Sequence, residues 1–169
     1  MDHPTLPHTH IIGIDAASQK FDVSWFKDRN KHTYRSKVLE NNPAGCLKLL
    51  EWIRKNITTN LTTVHIIMEA TGVYHELLAY FLHDQGVAVS IVNPAYIHSY
   101  AQSLGAVHKT DKGDSQIIAR FGAERNPAIW QPEPKSVREL KAKLNVEAHA
   151  FSKTAVAAIE AAGGTATQL

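Results

Sequence analysis

The chain has 169 residues, 44% of them apolar, with 18 Lys and Arg against 16 Asp and Glu. That is enough for one domain with a real core plus an appendage, and a formal charge of +2 does not by itself point to nucleic acid. The single cysteine, Cys46, excludes an internal disulfide and fits a reducing cytoplasm; no apolar run approaches the ~20 residues of a membrane span, and the polar start is no signal peptide.

In chain order, residues 1–9 are expected to be a flexible leader. His10 to Ile14 reads as a buried strand that ends at Asp15. Phe21 to Phe26 alternates as a second strand, with Phe21, Val23 and Trp25 on one face. Asp22 falls on the other face and is set apart from the acids discussed below. After a turn at 27–31, His32 to Leu39 can run back as a third strand. Asn42-Pro43 offers an N-cap with proline at the first helical position, and the helix continues to about Asn56. Val64 to Met68 is a fourth strand ending at Glu69. Gly72 breaks the chain, and Tyr74 to Gln85 forms a helix closed by Gly86 in the left-handed conformation. Val87 to Val92 is a fifth strand, stopped by Asn93-Pro94, and a helix over Ala95 to Leu104 leads to another that opens at Asp111. Three meandering strands followed by strands alternating with helices give an α/β mixed sheet flanked by helices. That order is ribonuclease-H-like, an arrangement in which the first strand, the fourth strand and a late helix deliver the catalytic acids.

Asp111 and Asp114 stand three apart in Lys109-Thr-Asp-Lys-Gly-Asp114, so they share a helix face. Alone, such aspartates read equally well as helix caps at the positive end of the dipole. Asp15 and Glu69 change the balance, because each ends a separate strand far upstream. Four carboxylates brought together this way suit a hard divalent cation, Mg²⁺ or Mn²⁺. Six basic residues lie between positions 20 and 37 (Lys20, Lys27, Arg29, Lys31, Arg35, Lys37) with only two acids. They make either a phosphate-facing ribbon or an ordinary solvated hairpin. Lys109, Lys112 and Arg120 add positive charge beside the acidic pair. Ten histidines show no convincing zinc spacing.

Gly13-Ile-Asp15, Met68-Glu-Ala-Thr-Gly-Val-Tyr74, Val92-Asn-Pro94 and the Lys109–Asp114 stretch resemble the DEDD-type insertion-sequence transposases, over about 11–141. The resemblance implies a RuvC-like domain for DNA transposition and recombination, with Asp15, Glu69, Asp111 and Asp114 as its four metal-binding catalytic acids. It also implies DNA as partner, a guide RNA in some members, and a homo-oligomer. Thr71 and Tyr74 match motif residues without an assigned role. Ser18 stands where many members have lysine, and Gly113 replaces an aliphatic at a cost of about 1 kcal/mol if it is helical. The family continues into a second domain with a nucleophilic serine; here that is not found, so the 10–141 domain is expected to be incomplete for recombination. Neither Ser18 nor Ser115 is identified as that nucleophile. Residues 142–169 resemble instead the C-terminal end of the fifteenth large-subunit ribosomal protein of bacteria, which implies a chimeric chain. Alternatives are a stand-alone RuvC-like structure-selective endonuclease and a nonfunctional truncated relic. More distant is an actin-like ATPase lobe, whose glycine- and threonine-bearing phosphate loop is missing from Asp15-Ala-Ala-Ser18.

Overall fold

A computed structural model describes residues 9–105 and 111–134, and at 111–113 the backbone alone. Residues 1–8 of the leader, Lys109 and the 142–169 tail lie outside the described residues. The chain divides into two compact units, Met1–Trp130 and Gln131–Leu169, and the sheet with its helices belongs to the first.

Five strands, β1 (His10–Ala16), β2 (Lys20–Asp28), β3 (Thr33–Glu40), β4 (Val64–Glu69) and β5 (Ala88–Val92), lie in the order β3-β2-β1-β4-β5. β1, β2 and β3 form an antiparallel meander, whereas β4 runs parallel to β1 and β5 parallel to β4. Parallel neighbours need crossover connections, supplied by α1 (Pro43–Asn56) and α2 (Glu76–Asp84). Two further helices follow, α3 (Pro94–Ser103) and α4 (Asp111–Arg125). This is the ribonuclease-H-like mixed sheet that the order of elements implies. It sets the C-terminal ends of β1, β4 and β5 along one edge.

Side-chain alternation sorts the residues between two cores. Ile12, Ile14, Phe21, Val23, Ile66, Met68 and Val89 pack with Leu49 and Ile53 of α1 and Leu78 and Leu82 of α2. On the opposite face Ile11, Ile67 and Val92 pack with Ile97 of α3 and Ile118 of α4. Because both faces are covered, β1 and β4 are apolar almost throughout instead of alternating.

The local signals explain most boundaries. Asn42 accepts a hydrogen bond from Gly45 N and Pro43 opens α1, while Asn93 accepts one from Ala95 N ahead of Pro94 in α3. Gly86 closes α2 with φ 77°, as its position implies. α2 starts at Glu76, two residues later than the sequence suggests. Gly72 adopts φ 55° and the chain turns through 72–75, with no side-chain cap at His75. A short 3₁₀ turn at Leu61–Thr63 precedes β4. The free side of β5 is covered by the segment after α4: Trp130 N donates to Val89 O at 2.8 Å, and Ser90 Oγ donates to Ala128 O at 2.7 Å. Among the described residues no helix is long and apolar enough to cross a membrane.

Candidate functional site

Asp15 is the penultimate residue of β1 and Glu69 the last of β4. The two strands are parallel with Ile14 opposite Met68, so one step further the register brings Asp15 beside Glu69. Both side chains follow Gly13 and Ile67 onto the face that α3 and α4 cover. Each is half-buried, and Thr71 Oγ1 donates to Glu69 Oε1 at 3.2 Å.

α4 is seated directly on β1 because position 13 has no side chain. A Cβ at Gly13 would overlap Ser115 O and Ala119 N, and one at Gly122 would run into the Ile67 side chain. Going from Ser115 to Gly122, the helix therefore moves from Gly13 back toward Ile11, antiparallel to β1. A hydroxyl chain fixes the register: Ser24, paired with Gly13, bonds Ser115 Oγ at 2.8 Å and Ser36 Oγ at 2.8 Å. Ahead of Ser115, the helix rises about 6 Å to Asp111, close to the two strand residues from Gly13 to Asp15. The first turn of α4 thus reaches the level of Asp15. Asp114 is half-buried there, and the side chain of Asp111 lies outside the description. Among the described residues, no three His, Cys, Asp or Glu side chains form a group that could hold a metal ion. Ser115 is fully buried, which removes it as a nucleophile for any bound substrate.

One acid belongs nearer than alternation suggested. Asp22 does point away from Phe21 and Val23, but that face is covered by α4 and is the face of Asp15, which Asp22 opposes in the sheet register. Its side chain is nearly buried and lies 3.4 Å from Lys20 Nζ.

The family model for DEDD transposases of the IS110 type, described as a transposase, matches residues 12–161. The chain belongs to the DEDD-type transposase family. It is 42% identical over 138 residues to the pilin gene-inverting protein of Moraxella lacunata, a match covering 82% of this chain and 42% of that protein. The transposase-family chain thus spans under half the length of the curated relatives it matches. A shorter likeness is to large ribosomal subunit protein uL15 of Bacteroides fragilis, 77% identical over 30 residues, which are 18% of this chain and 20% of that protein. Among solved structures, Thermus thermophilus RuvC is similar at 12% identity and a TM-score of 0.48, over 72% of this chain and 99% of that one.

The basic residues of this transposase-family chain fall in three settings. Lys27, Arg29 and Lys31 are exposed around the β2–β3 turn, where Asp28 Oδ1 accepts from Asn30 N and Lys31 N. Lys20 faces the α4 side beside Asp22, whereas Arg35 and Lys37 pair with Trp25 and Val23 and so point to the other face. The ribbon read from the sequence is divided by the pleat. Arg120 belongs to a network at the far end of α4. Its Nε donates to Glu124 Oε1 at 2.8 Å, Tyr100 Oη donates to Glu124 Oε2 at 2.6 Å, and the Arg125 guanidinium lies 5.9 Å from the centre of the Tyr100 ring. Arg120, and then Tyr100, hold the Glu124 carboxyl below its usual range. Burial, and then the bond to Glu124, push the Tyr100 hydroxyl well up. The Lys112 side chain and all of Lys109 lie outside the described residues.

Proposed function

We propose that residues 10–141 are the metal-dependent DNA-processing domain of a transposase, with Asp15, Glu69, Asp111 and Asp114 as catalytic acids holding Mg²⁺ or Mn²⁺. What supports this reading is the backbone: strand register and the Gly13 seat bring the ends of β1 and β4 and the first turn of α4 to one level on one face of the sheet. The donor set fits a hard cation, being carboxylate oxygen throughout. Carboxylates also repel one another across short distances, and a bound cation would offset that repulsion. When bound, divalent ions would activate a water or hydroxyl and stabilise the leaving oxygen of a phosphodiester.

The chain's own residues supply position. Asp15 and Glu69 sit on strand ends, which are stiffer than loops, and Thr71 orients the Glu69 carboxylate. Asp114 is held by the Ser24–Ser115 hydroxyl pair one residue along. Lys20, Lys27, Arg29 and Lys31 would contact DNA phosphates, joined by Lys109 and Lys112, which flank Asp111 in the sequence; Arg120, held by Glu124 at the far end of α4, would contribute little. In this reading recombination uses the family's serine domain as well, and this chain alone contributes metal and DNA binding. A guide RNA, self-assembly, a cytoplasmic setting and a ribosomal-protein origin for the 142–169 tail are parts of the same proposal. The stand-alone nuclease has less behind it, since the family match and the long relatives favour recombination.

DNA titrations with and without Mn²⁺ test the reading. Wild type should bind DNA more tightly with Mn²⁺ and Asp15→Asn should show no such gain. No metal effect in the wild type would overturn it, and Mg²⁺-dependent cleavage of branched DNA by this chain alone would transfer it to the nuclease.

A further inference from the structure

The loops after β4 and β5 leave from neighbouring parallel strands, since Glu69 pairs with Val92 and Ala70 N donates to Val92 O at 2.9 Å. Both loops therefore rise from the sheet edge that carries Asp15 and Glu69. Four large apolar side chains are exposed on these loops and the helix starts they lead into: Val73 (67%), Tyr74 (44%), Leu77 (45%) and Tyr96 (66%). Val73, Tyr74 and Leu77 fall together on the β4–α2 loop and the start of α2; soluble surfaces scatter such residues singly, so this loop marks an interaction site.

Tyr74 is held in place. Asn41 Nδ2 donates to Tyr74 O at 2.8 Å and to Ala17 O at 2.8 Å, which ties the β4–α2 loop to the β1–β2 turn. The ring flank lies 3.8 Å from where a side chain on Gly72 would begin. The left-handed Gly72 therefore leaves room beside the ring. A tyrosine fixed this way offers a flat face at little entropic cost, having only two side-chain torsions to order.

We propose that Tyr74 is a stacking platform for the bases of an unpaired DNA strand whose phosphate lies at the acids. This rests on the metal-dependent DNA reading above and adds the substrate class. A nucleotide suits the edge because its phosphate answers the cation site while its base answers the aromatic face. A protein covering the same patch would also cover the half-exposed Glu69 and strip water from its carboxylate. Bases inside a duplex already have both faces stacked, so an aromatic platform takes only a strand that is single or locally opened.

The test is fluorescence anisotropy of a short labelled deoxyadenosine strand, its RNA counterpart and the corresponding duplex, all in chelator. Tyr74→Ala should weaken the DNA single strand about tenfold and leave the duplex within about twofold. Tyr74→Trp should keep the affinity, and Tyr74→Leu, apolar but without a π-face, should lose it. Tyr96→Ala, at an exposed position opening α3 on the opposite face of the sheet, is the control and should leave the single strand within about twofold; a loss of about tenfold there would overturn the proposal. Equal losses on the duplex, or a loss confined to RNA, would overturn the proposal. So would an unchanged affinity accompanied by a shift in sedimentation, which would make the patch a contact between copies. Mn²⁺ calorimetry on Tyr74→Ala separates the two readings. Metal binding retained with stacking unchanged removes the platform alone, whereas loss of the cation site in the wild type removes the reading beneath it.

Discussion

At its first turn α4 carries Asp111 and Asp114 past Gly13 toward the ends of β1 and β4. At its last turns the same helix carries Arg120, Glu124 and Arg125, which are taken up by one another and by Tyr100. Both ends are dense in charge, and their work differs because of where their partners come from. The far end pairs within its own turn and with α3, so its charges settle into local stability. The near end is directed at two other elements, β1 and β4, whose C-terminal ends carry acids brought from far along the chain. Charge density alone does not identify a site; convergence from separate elements does.

The largest expected effect comes from unseating the helix. Gly13→Ala puts a methyl against the backbone of Ser115 and Ala119, which cannot turn aside as a side chain can. It should cost ~2–3 kcal/mol in denaturant unfolding, and it should weaken Mn²⁺ binding because Asp114 rides on the displaced turn. Gly122→Ala meets the Ile67 side chain instead. It should cost ~1–2 kcal/mol and leave Mn²⁺ binding unchanged. If both variants lose metal equally, the two ends of α4 are not independent.

Next comes the far network. Tyr100→Phe removes the hydroxyl on Glu124 and should lower stability by about 1 kcal/mol with no effect on metal. The sign of its pH dependence follows from the two shifts. The Glu124 carboxyl is depressed in the fold, so its contribution is present above the ordinary carboxylate range and is lost as pH falls through the lowered value. Its exposure keeps that contribution below ~1 kcal/mol. The Tyr100 hydroxyl is raised, so its contribution is intact below about pH 10 and is lost as pH rises further. Thermal melts across pH should lose the alkaline limb in Tyr100→Phe; an unchanged profile would contradict the network.

The smallest effect is on DNA. Arg120→Ala should barely alter affinity, because the guanidinium is held by Glu124. Changing Lys27, Arg29 and Lys31 together to alanine should flatten the salt dependence by up to ~3 in log–log slope. A larger change from Arg120 than from the triple variant would reverse the comparison.

Much of this could be read from the residues. Asp15 and Glu69 stand at strand ends because apolar runs stop there, and Asn42-Pro43, Asn93-Pro94 and Gly86 mark helix boundaries by backbone chemistry that needs no tertiary context. The errors have tertiary causes. Alternation put Asp22 opposite Phe21 correctly, but it did not show that a helix covers that face and makes Asp22 a neighbour of Asp15. The stretch from Tyr74 reads as helix in the sequence, whereas left-handed Gly72 and an uncapped His75 delay α2 to Glu76. The Arg120–Glu124 pair is visible in i,i+4 spacing, yet the Tyr100 hydroxyl that completes it comes from another helix. The cover on β5 by 127–130 has no sequence signal beyond an exposed-looking Trp130.

Convergence of the acids on a divalent cation is the central claim, and isothermal calorimetry with Mn²⁺ tests it most directly. Wild type should bind, Asp15→Asn should abolish the heat, and Asp114→Asn should weaken affinity about tenfold or more, amides being poor ligands for hard cations. Asp28→Asn is the control, since its carboxylate is engaged in the β2–β3 turn at the opposite end of β2 from Asp22. Equal Mn²⁺ binding by wild type, Asp15→Asn and Asp114→Asn would contradict the account.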